Sequence, residues 1–354
     1  MAVVIPRRYT WRRVFDGCLV ENQEFLVLHD LRGGFTALSL FCALACAIVS
    51  PCHSSAAEPA ESPKWKLTWS DEFEGAEIDK SKWDFDIGNG FFNYDAFVWI
   101  SGWGNNELQY YTREPENASV KEGMLHIRAV KESYNGCGYT SAKLKTRKRD
   151  GTPLFNQKYG KFEFRAKLPT GKGVWPALWM LPQDDKYGTW ASSGEIDVLE
   201  ARGQEPNKVL GTLHYGSRWP SNAYSGKHYI LPNESTIAEF HVYTVEWEPG
   251  EIRWSVDGQQ YASQSFWWSS SQSDGGKGVK PTKEADLNAW PAPFDQPFYL
   301  IMNVAVGGKF LGNPDKSTAF PAEMVVDYVR VYERDGGYGP LKPRGEGKLP
   351  FDKP

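Results

Sequence analysis

Gly194-Glu195-Ile196-Asp197-Val198-Leu199-Glu200-Ala201 sets three acids within six positions, separated by aliphatic residues. Acids are rarely buried unless paired or working. Read as a plain strand, a period of two puts Glu195, Asp197 and Leu199 on one face. Glu200 then points into the core, where an unpaired carboxylate is costly. One extra residue at Val198-Leu199, a β-bulge, removes the conflict. It returns Glu200 to the face of Glu195 and Asp197 and turns Ile196 and one bulge aliphatic inward. The competing reading is a helix start, with Ser192-Ser193-Gly194-Glu195 as a capping box. The rest of the chain favours the strand.

The bulge has a chemical consequence. It leaves Glu195 and Glu200 about four strand steps apart, roughly 13 Å between backbones. Side chains leaning together over Asp197 would close that to about 5–6 Å, near the carboxyl spacing of a retaining glycosidase and short of the inverting range.

The chain has 354 residues, with 15 Trp, 17 Tyr, 19 Phe and 34 Gly, and few long amphipathic helical patterns. This predicts an all-β protein with a long aromatic cleft. A formal charge of −4 gives no basis for nucleic acid or an anionic membrane as partner. Cys18, Cys42, Cys46 and Cys52 lie near the N-terminus and only Cys137 lies in the body, so no disulfide can form within the body. Residues 1–57 read as a targeting segment. Phe35 to Val49 is an apolar run that suits a signal peptide and is short for a membrane span. Ser55-Ala56-Ala57 offers a cleavage site, so a secreted or periplasmic product starting near Glu58 is expected. Cys46, after Ala43-Leu44-Ala45, is the alternative: a lipid attachment point and the one route to a membrane.

The body, residues 58–334, opens on the alternating strand Trp65 to Asp71. The loop Gly102 to Thr112 carries amides that can bind hydroxyls. Lys143 to Arg149 reads as a basic, partly exposed strand. In Tyr159 to Leu168, Phe162, Phe164, Ala166 and Leu168 share one face, and Lys161, Glu163, Arg165 and Lys167 the other, either solvated or a cleft wall. Trp175 and Trp179, four apart, point the same way, as core residues or as a sugar platform. His214 lies on the strand Leu210 to Tyr215, where it could adjust the acids. Residues 266–294, rich in Ser, Gly, Lys and Pro and bearing Trp267, Trp268 and Trp290, form a long loop expected to wall one end of a cleft. Residues 335–354 are expected as a mobile tail.

Several motifs in order then name a family. They are Trp-Gly-Asn-Asn-Glu-Leu-Gln-Tyr-Tyr-Thr (103–112), Gly-Val-Trp-Pro-Ala-Leu-Trp-Met-Leu-Pro (173–182), Gly-Glu-Ile-Asp-Val-Leu-Glu (194–200) and Gly-Thr-Leu-His-Tyr-Gly (211–216). Asp-Gln-Pro-Phe-Tyr-Leu-Ile-Met-Asn-Val-Ala-Val-Gly-Gly (295–308) and Val-Asp-Tyr-Val-Arg-Val-Tyr (326–332) complete the series. From about Trp65 to Glu333 the chain resembles glycoside hydrolase family 16, and within it the laminarinase-type endo-β-1,3-glucanases.

The resemblance implies a β-jelly roll, a sandwich of two antiparallel sheets with a curved substrate cleft across one face. It implies Glu195 as nucleophile, Glu200 as acid/base and Asp197 between them, sharing a proton with the nucleophile and keeping the pKa of Glu200 raised. Asn106, Arg165, Trp175, Trp179 and His214 match positions that line or bind sugar. The chemistry needs no cofactor. The family often carries a structural calcium, for which Asp327 and the backbone carbonyls of Glu72 and Gly123 are the matching ligands. The expected substrate is a laminarin-like β-glucan and the expected state a monomer. The alternatives are a mixed-linkage glucanase, an agarase-like enzyme or transglycosylase of the same family, and a non-catalytic glucan-binding protein. Ala201-Arg202 departs from the aromatic residue that many relatives carry after the second glutamate.

Overall fold

The computed structural model describes residues 64–94 and 96–352. The targeting segment of residues 1–57, with its cleavage and lipid-attachment residues, lies outside the described residues.

Two antiparallel sheets make the body. One has eight strands, in the order Gln259–Gln264, Glu251–Val256, His241–Glu248, Gly160–Lys167, Ala322–Arg334, Met124–Ala129 and Ala118–Lys121, with Trp65–Asp71 also paired to Ala322–Arg334. The other has seven, in the order Ala223–Ile230, Lys208–Tyr215, Glu195–Ala201, Val174–Pro182, Phe298–Val306, Lys143–Lys145 and Asp84–Phe85. Alternation explains how they meet. Phe162, Phe164 and Ala166 from the first sheet and Leu178, Met180, Ile196 and Leu213 from the second are fully buried in one continuous core. Removing such side chains from water is the main favourable contribution to folding. The result is the jelly-roll-like sandwich that the resemblance implies.

The acid strand carries the bulge. Asp197 faces Thr212 and Glu200 faces Leu210, so Val198 and Leu199 together oppose the single residue Gly211. On the other side the register slips by one residue between Leu178 and Trp179. Both bulge aliphatics are buried, one more than the sequence predicts. Trp254 reaches across from the eight-stranded sheet and donates its indole N–H to the Asp197 carbonyl at 2.8 Å. Gly194, just before the strand, has φ +89°, and a Cβ there would lie 2.8 Å from Phe294. Only glycine suits that entry.

Three expectations change. Lys143 and Lys145 are buried, not partly exposed. Leu144 between them fills the core, so both ammonium groups lie on the other face of the seven-stranded sheet, where both pair with Asp86. Within residues 266–294, Trp267 and Trp268 turn inward and wall no cleft. Trp267 stacks on Trp290 at 4.6 Å and donates to the Pro291 carbonyl, and Trp268 meets Tyr215 edge-on. The segment itself is folded, with a small hairpin, Ser273–Asp274 on Lys277–Gly278, and a 3-10 turn, Glu284–Asp286. The stretch after Asp335, expected to be mobile, lies against the sandwich. Gly345 N–H bonds the Ser265 carbonyl, Trp290 donates to the Lys342 carbonyl, Lys342 pairs with Glu251, and Leu349 packs on the core.

Candidate active site

The seven-stranded sheet presents Glu195, Asp197 and Glu200 on its outer face, because the bulge restores Glu200 to the period of the other two. Glu195 sits opposite His214 on the neighbouring strand. His214 Nε2 lies 3.6 Å from Glu195 Oε1 and 3.5 Å from Asp197 Oδ2. His214 therefore stands against Glu195 and Asp197. Trp190 donates its indole N–H to Glu195 at 2.9 Å. Glu200 accepts from the Trp175 indole at 3.2 Å and from Thr212 Oγ1 at 3.3 Å.

Burial raises the pKa of all three acids. Glu195 is pushed up to about 7, with the Trp190 bond, Lys143 and the Asp197 bond opposing the rise. Asp197 is raised well above the usual range by burial and by the charges of Glu195 and Glu200. Glu200 is raised by burial, eased by His214 and increased again by Glu195. Buried carboxylates this close cannot all be ionised. Burial and the neighbouring charges of Glu195 and Glu200 favour the neutral form of Asp197, and burial holds Glu200 towards its acid form. Asp197 Oδ2 and His214 Nδ1 are both buried without a hydrogen-bond partner. One ligand atom from each of Glu195, Asp197 and His214 lies within 4.8 Å of the others, a set that could also hold a metal ion.

Aromatic residues extend the site along the sheet. Trp179, on the face of Trp175, donates to Asn303 Oδ1 at 2.7 Å, and Asn303 in turn donates to Tyr111. Lys143 lies over the Trp179 ring at 4.8 Å and the Trp103 ring at 4.3 Å. On the other side, Trp190, His214 and Tyr224 form a row with ring separations of 5.5 and 5.9 Å. Asn106 is exposed, in the left-handed region at φ 59°. The Asn105 carbonyl beside it accepts from Lys309, next to Phe310, which packs on Trp175. Asn106 thus stands near the Trp175 end of the acid face.

Arg165 does not join this group. It lies on Gly160–Lys167, in the other sheet, with the core between it and the acids. Its guanidinium pairs with Asp327 and covers the Phe240 ring at 4.6 Å. The sugar-binding expectation for Arg165 is therefore corrected. Asp327 is the extra residue of a bulge opposite Arg165 and Ala166. By register it lies where Trp65–Asp71 ends and Met124–Ala129 begins, which sets Glu72 and Gly123 on either side of it. The Glu72 side chain is turned to Arg330. The Asp327 carboxylate is engaged by Arg165, so a hard, oxygen-ligated cation there would have to displace that guanidinium.

The family model "Glycosyl hydrolases family 16" matches residues 105–317. The chain belongs to glycoside hydrolase family 16. It is 46% identical over 278 residues to "Glucan endo-1,3-beta-glucosidase A1" of Niallia circulans, covering 75% of this chain and 38% of that protein. It is 42% identical over 309 residues to "Beta-glucanase" of Rhodothermus marinus, covering 84% and 93%. Among solved structures, the catalytic domain of an endo-1,3-beta-glucanase (laminarinase) from Thermotoga petrophila superposes with TM-score 0.63 at 41% identity, covering 77% of this chain and 99% of that one. Family 16 is a retaining family, in agreement with three acids gathered on one bulged strand.

Trp190, Thr212, Asn303, Tyr111 and Lys143 are the contacts that the sequence reading missed. Thr212 and Asn303 sit inside quoted motifs, so their strand period could have found them. Trp190 lies in an irregular loop that carries no period.

The partners of Glu200 set one expected result. Burial lowers the His214 pKa, so the charge by which it favours ionised Glu200 is present only at acid pH. A neutral His214→Gln variant should therefore leave the alkaline limb of the kcat/KM profile in place. An alkaline limb that moves upward in the variant would mean that His214 carries its charge there.

Proposed function

We infer that this chain is a secreted endo-β-1,3-glucanase that cleaves laminarin-like glucans with retention. The observation that carries it is the Glu195–Asp197–Glu200 face with tryptophans bonded to both glutamates. Glu195, ionised and bonded by Trp190, attacks the anomeric carbon and forms a glycosyl-enzyme. Glu200, protonated, gives its proton to the leaving oxygen, then takes one from the water that releases the sugar. Asp197 lends its shared proton to Glu195 and holds it in place. Trp175 and Trp179 line the glycone side, and Asn106 binds sugar hydroxyls. Export rests on the apolar run from Phe35 to Val49.

The test is product analysis on laminarin, barley mixed-linkage glucan and agarose, side by side. Short β-1,3 oligosaccharides from laminarin, released while the polymer shortens, are expected. Cleavage of another polymer with silence on laminarin would move the substrate. Silence on all three from folded protein would favour a binding role, as the name of a Penaeus monodon relative, "Beta-1,3-glucan-binding protein", describes for that protein.

We also propose calcium at Asp327 with the carbonyls of Glu72 and Gly123, in a structural role away from the acids. Millimolar Ca²⁺ is expected to raise Tm by about 5 °C over protein in EDTA. Asp327→Ala should abolish the difference. An equal Tm with and without the ion would remove the site.

A further inference from the structure

Residues 90–101 form a separate two-stranded hairpin, Gly90–Asn93 paired with Val98–Ser101. Its composition is unusual for a surface. Phe91, Tyr94, Phe97, Val98 and Trp99 are all exposed, Tyr94 and Phe97 by 81% and 82%. They make up five of the twelve exposed large apolar side chains among the described residues. Tyr94 and Phe97 both meet the Phe92 ring edge-on, at 5.0 and 5.2 Å, and Asn93 Oδ1 closes the turn on the Ala96 N–H. An isolated hairpin is marginal in water, and an exposed apolar cluster of this kind marks a contact surface.

Its place in the fold says what the contact is. The hairpin leaves the seven-stranded sheet just after the edge strand Asp84–Phe85, four strands from the acids, or roughly 19 Å at the usual spacing. Its base is tied by the Gly102 N–H to the Asn89 carbonyl at 2.7 Å. Aromatic rings lead back from it towards the site, with Lys143 between two of them. Phe91 packs on Trp103 at 6.3 Å, and Lys143 joins the Trp103 ring to the Trp179 ring. The hairpin holds no Lys or Arg, so nothing in it draws an anionic lipid surface. Flat aromatic rings without cations suit the apolar faces of a neutral sugar chain.

We propose that the 90–101 hairpin is a second glucan-holding platform, outside the cleft, that grips a distant stretch of the same neutral polysaccharide chain whose cleavage the acids carry out. The proposal rests on the glucanase reading. The platform contributes affinity for long chains and none for short ones, because a short oligosaccharide in the cleft cannot reach it.

The test compares wild type with Y94S/F97S/W99S, and with F97S alone, on long laminarin, on insoluble β-1,3-glucan and on laminaritetraose. These side chains are exposed, so an unchanged Tm is expected and checked first. The triple variant should show a KM on the polymer raised by about tenfold and reduced retention on the insoluble glucan. Its kcat, and its turnover of the tetramer, should be unchanged. Equal KM and retention would overturn the platform. So would an equal loss on tetramer and polymer, which would place the hairpin within the cleft. A wild-type dimer that the triple variant converts to monomer would assign the patch to a second copy of the chain. A wild type inactive on all three glucans would instead sink the glucanase reading, and this proposal with it.

Discussion

Glu195→Ala is expected to lower turnover of a β-1,3-glucan by about 10⁴-fold or more, with the fold intact. The reason is chemical. Without the carboxylate no glycosyl-enzyme forms, and the remaining groups can only orient substrate. Glu200→Ala should lower turnover by about 10²–10⁴-fold, the range of general acid catalysis. Its loss should shrink on a substrate whose leaving group needs no proton. Azide separates the two variants. It fills the space left by Glu195 and attacks the anomeric carbon from that side, so Glu195→Ala should regain activity on an activated β-glycoside and give an α-glycosyl azide. Azide acting on Glu200→Ala meets an intact glycosyl-enzyme and gives the β-azide. The opposite pairing would exchange the two roles.

Glu195→Gln is expected to stabilise the protein at pH 8 while inactivating it. Folding raises the Glu195 pKa from 4.5 to about 7, chiefly by burial. The folded chain therefore holds a proton that the unfolded chain releases across that window. Stability from this group is fully present below about pH 4.5 and is lost as pH rises through about 7. A shift of that size corresponds to at most about 3 kcal/mol, and coupling to Asp197 reduces what one substitution recovers. Gln keeps the shape and accepts the Trp190 bond without a charge to bury. The Tm gain should be several degrees at pH 8 and absent at pH 4. An equal gain at both pH values would mean that the variant acts through packing, not through the buried charge. The site thus trades stability for a nucleophile ionised within a water-poor surface.

The acids were legible in the sequence because their spacing conflicts with a plain strand. Period two sends Glu200 into the core, and a single bulge at Val198-Leu199 resolves it; the register shows the bulge there. Trp175 and Trp179 were legible as a pair on one face, and their indoles reach Glu200 and Asn303. Arg165 was not. The polar face of Gly160–Lys167 reads the same whether it lies over the cleft or on the opposite sheet, and strand order alone decides which. Lys143 and Lys145 misled in the other direction. A basic strand resembles solvent-facing surface, and only the partner Asp86 and the Trp103 and Trp179 rings explain why both ammonium groups are buried. Trp267 and Trp268 sat in a Ser/Gly-rich segment with no period to show that they turn inward.

The most direct test is to trap the intermediate. An activated 2-deoxy-2-fluoro β-1,3-linked glucoside should inactivate the enzyme and leave one sugar bound covalently. Peptide mass spectrometry should then find that sugar on Glu195. A label on Glu200, or turnover that continues with no covalent sugar at all, would contradict nucleophilic attack by Glu195.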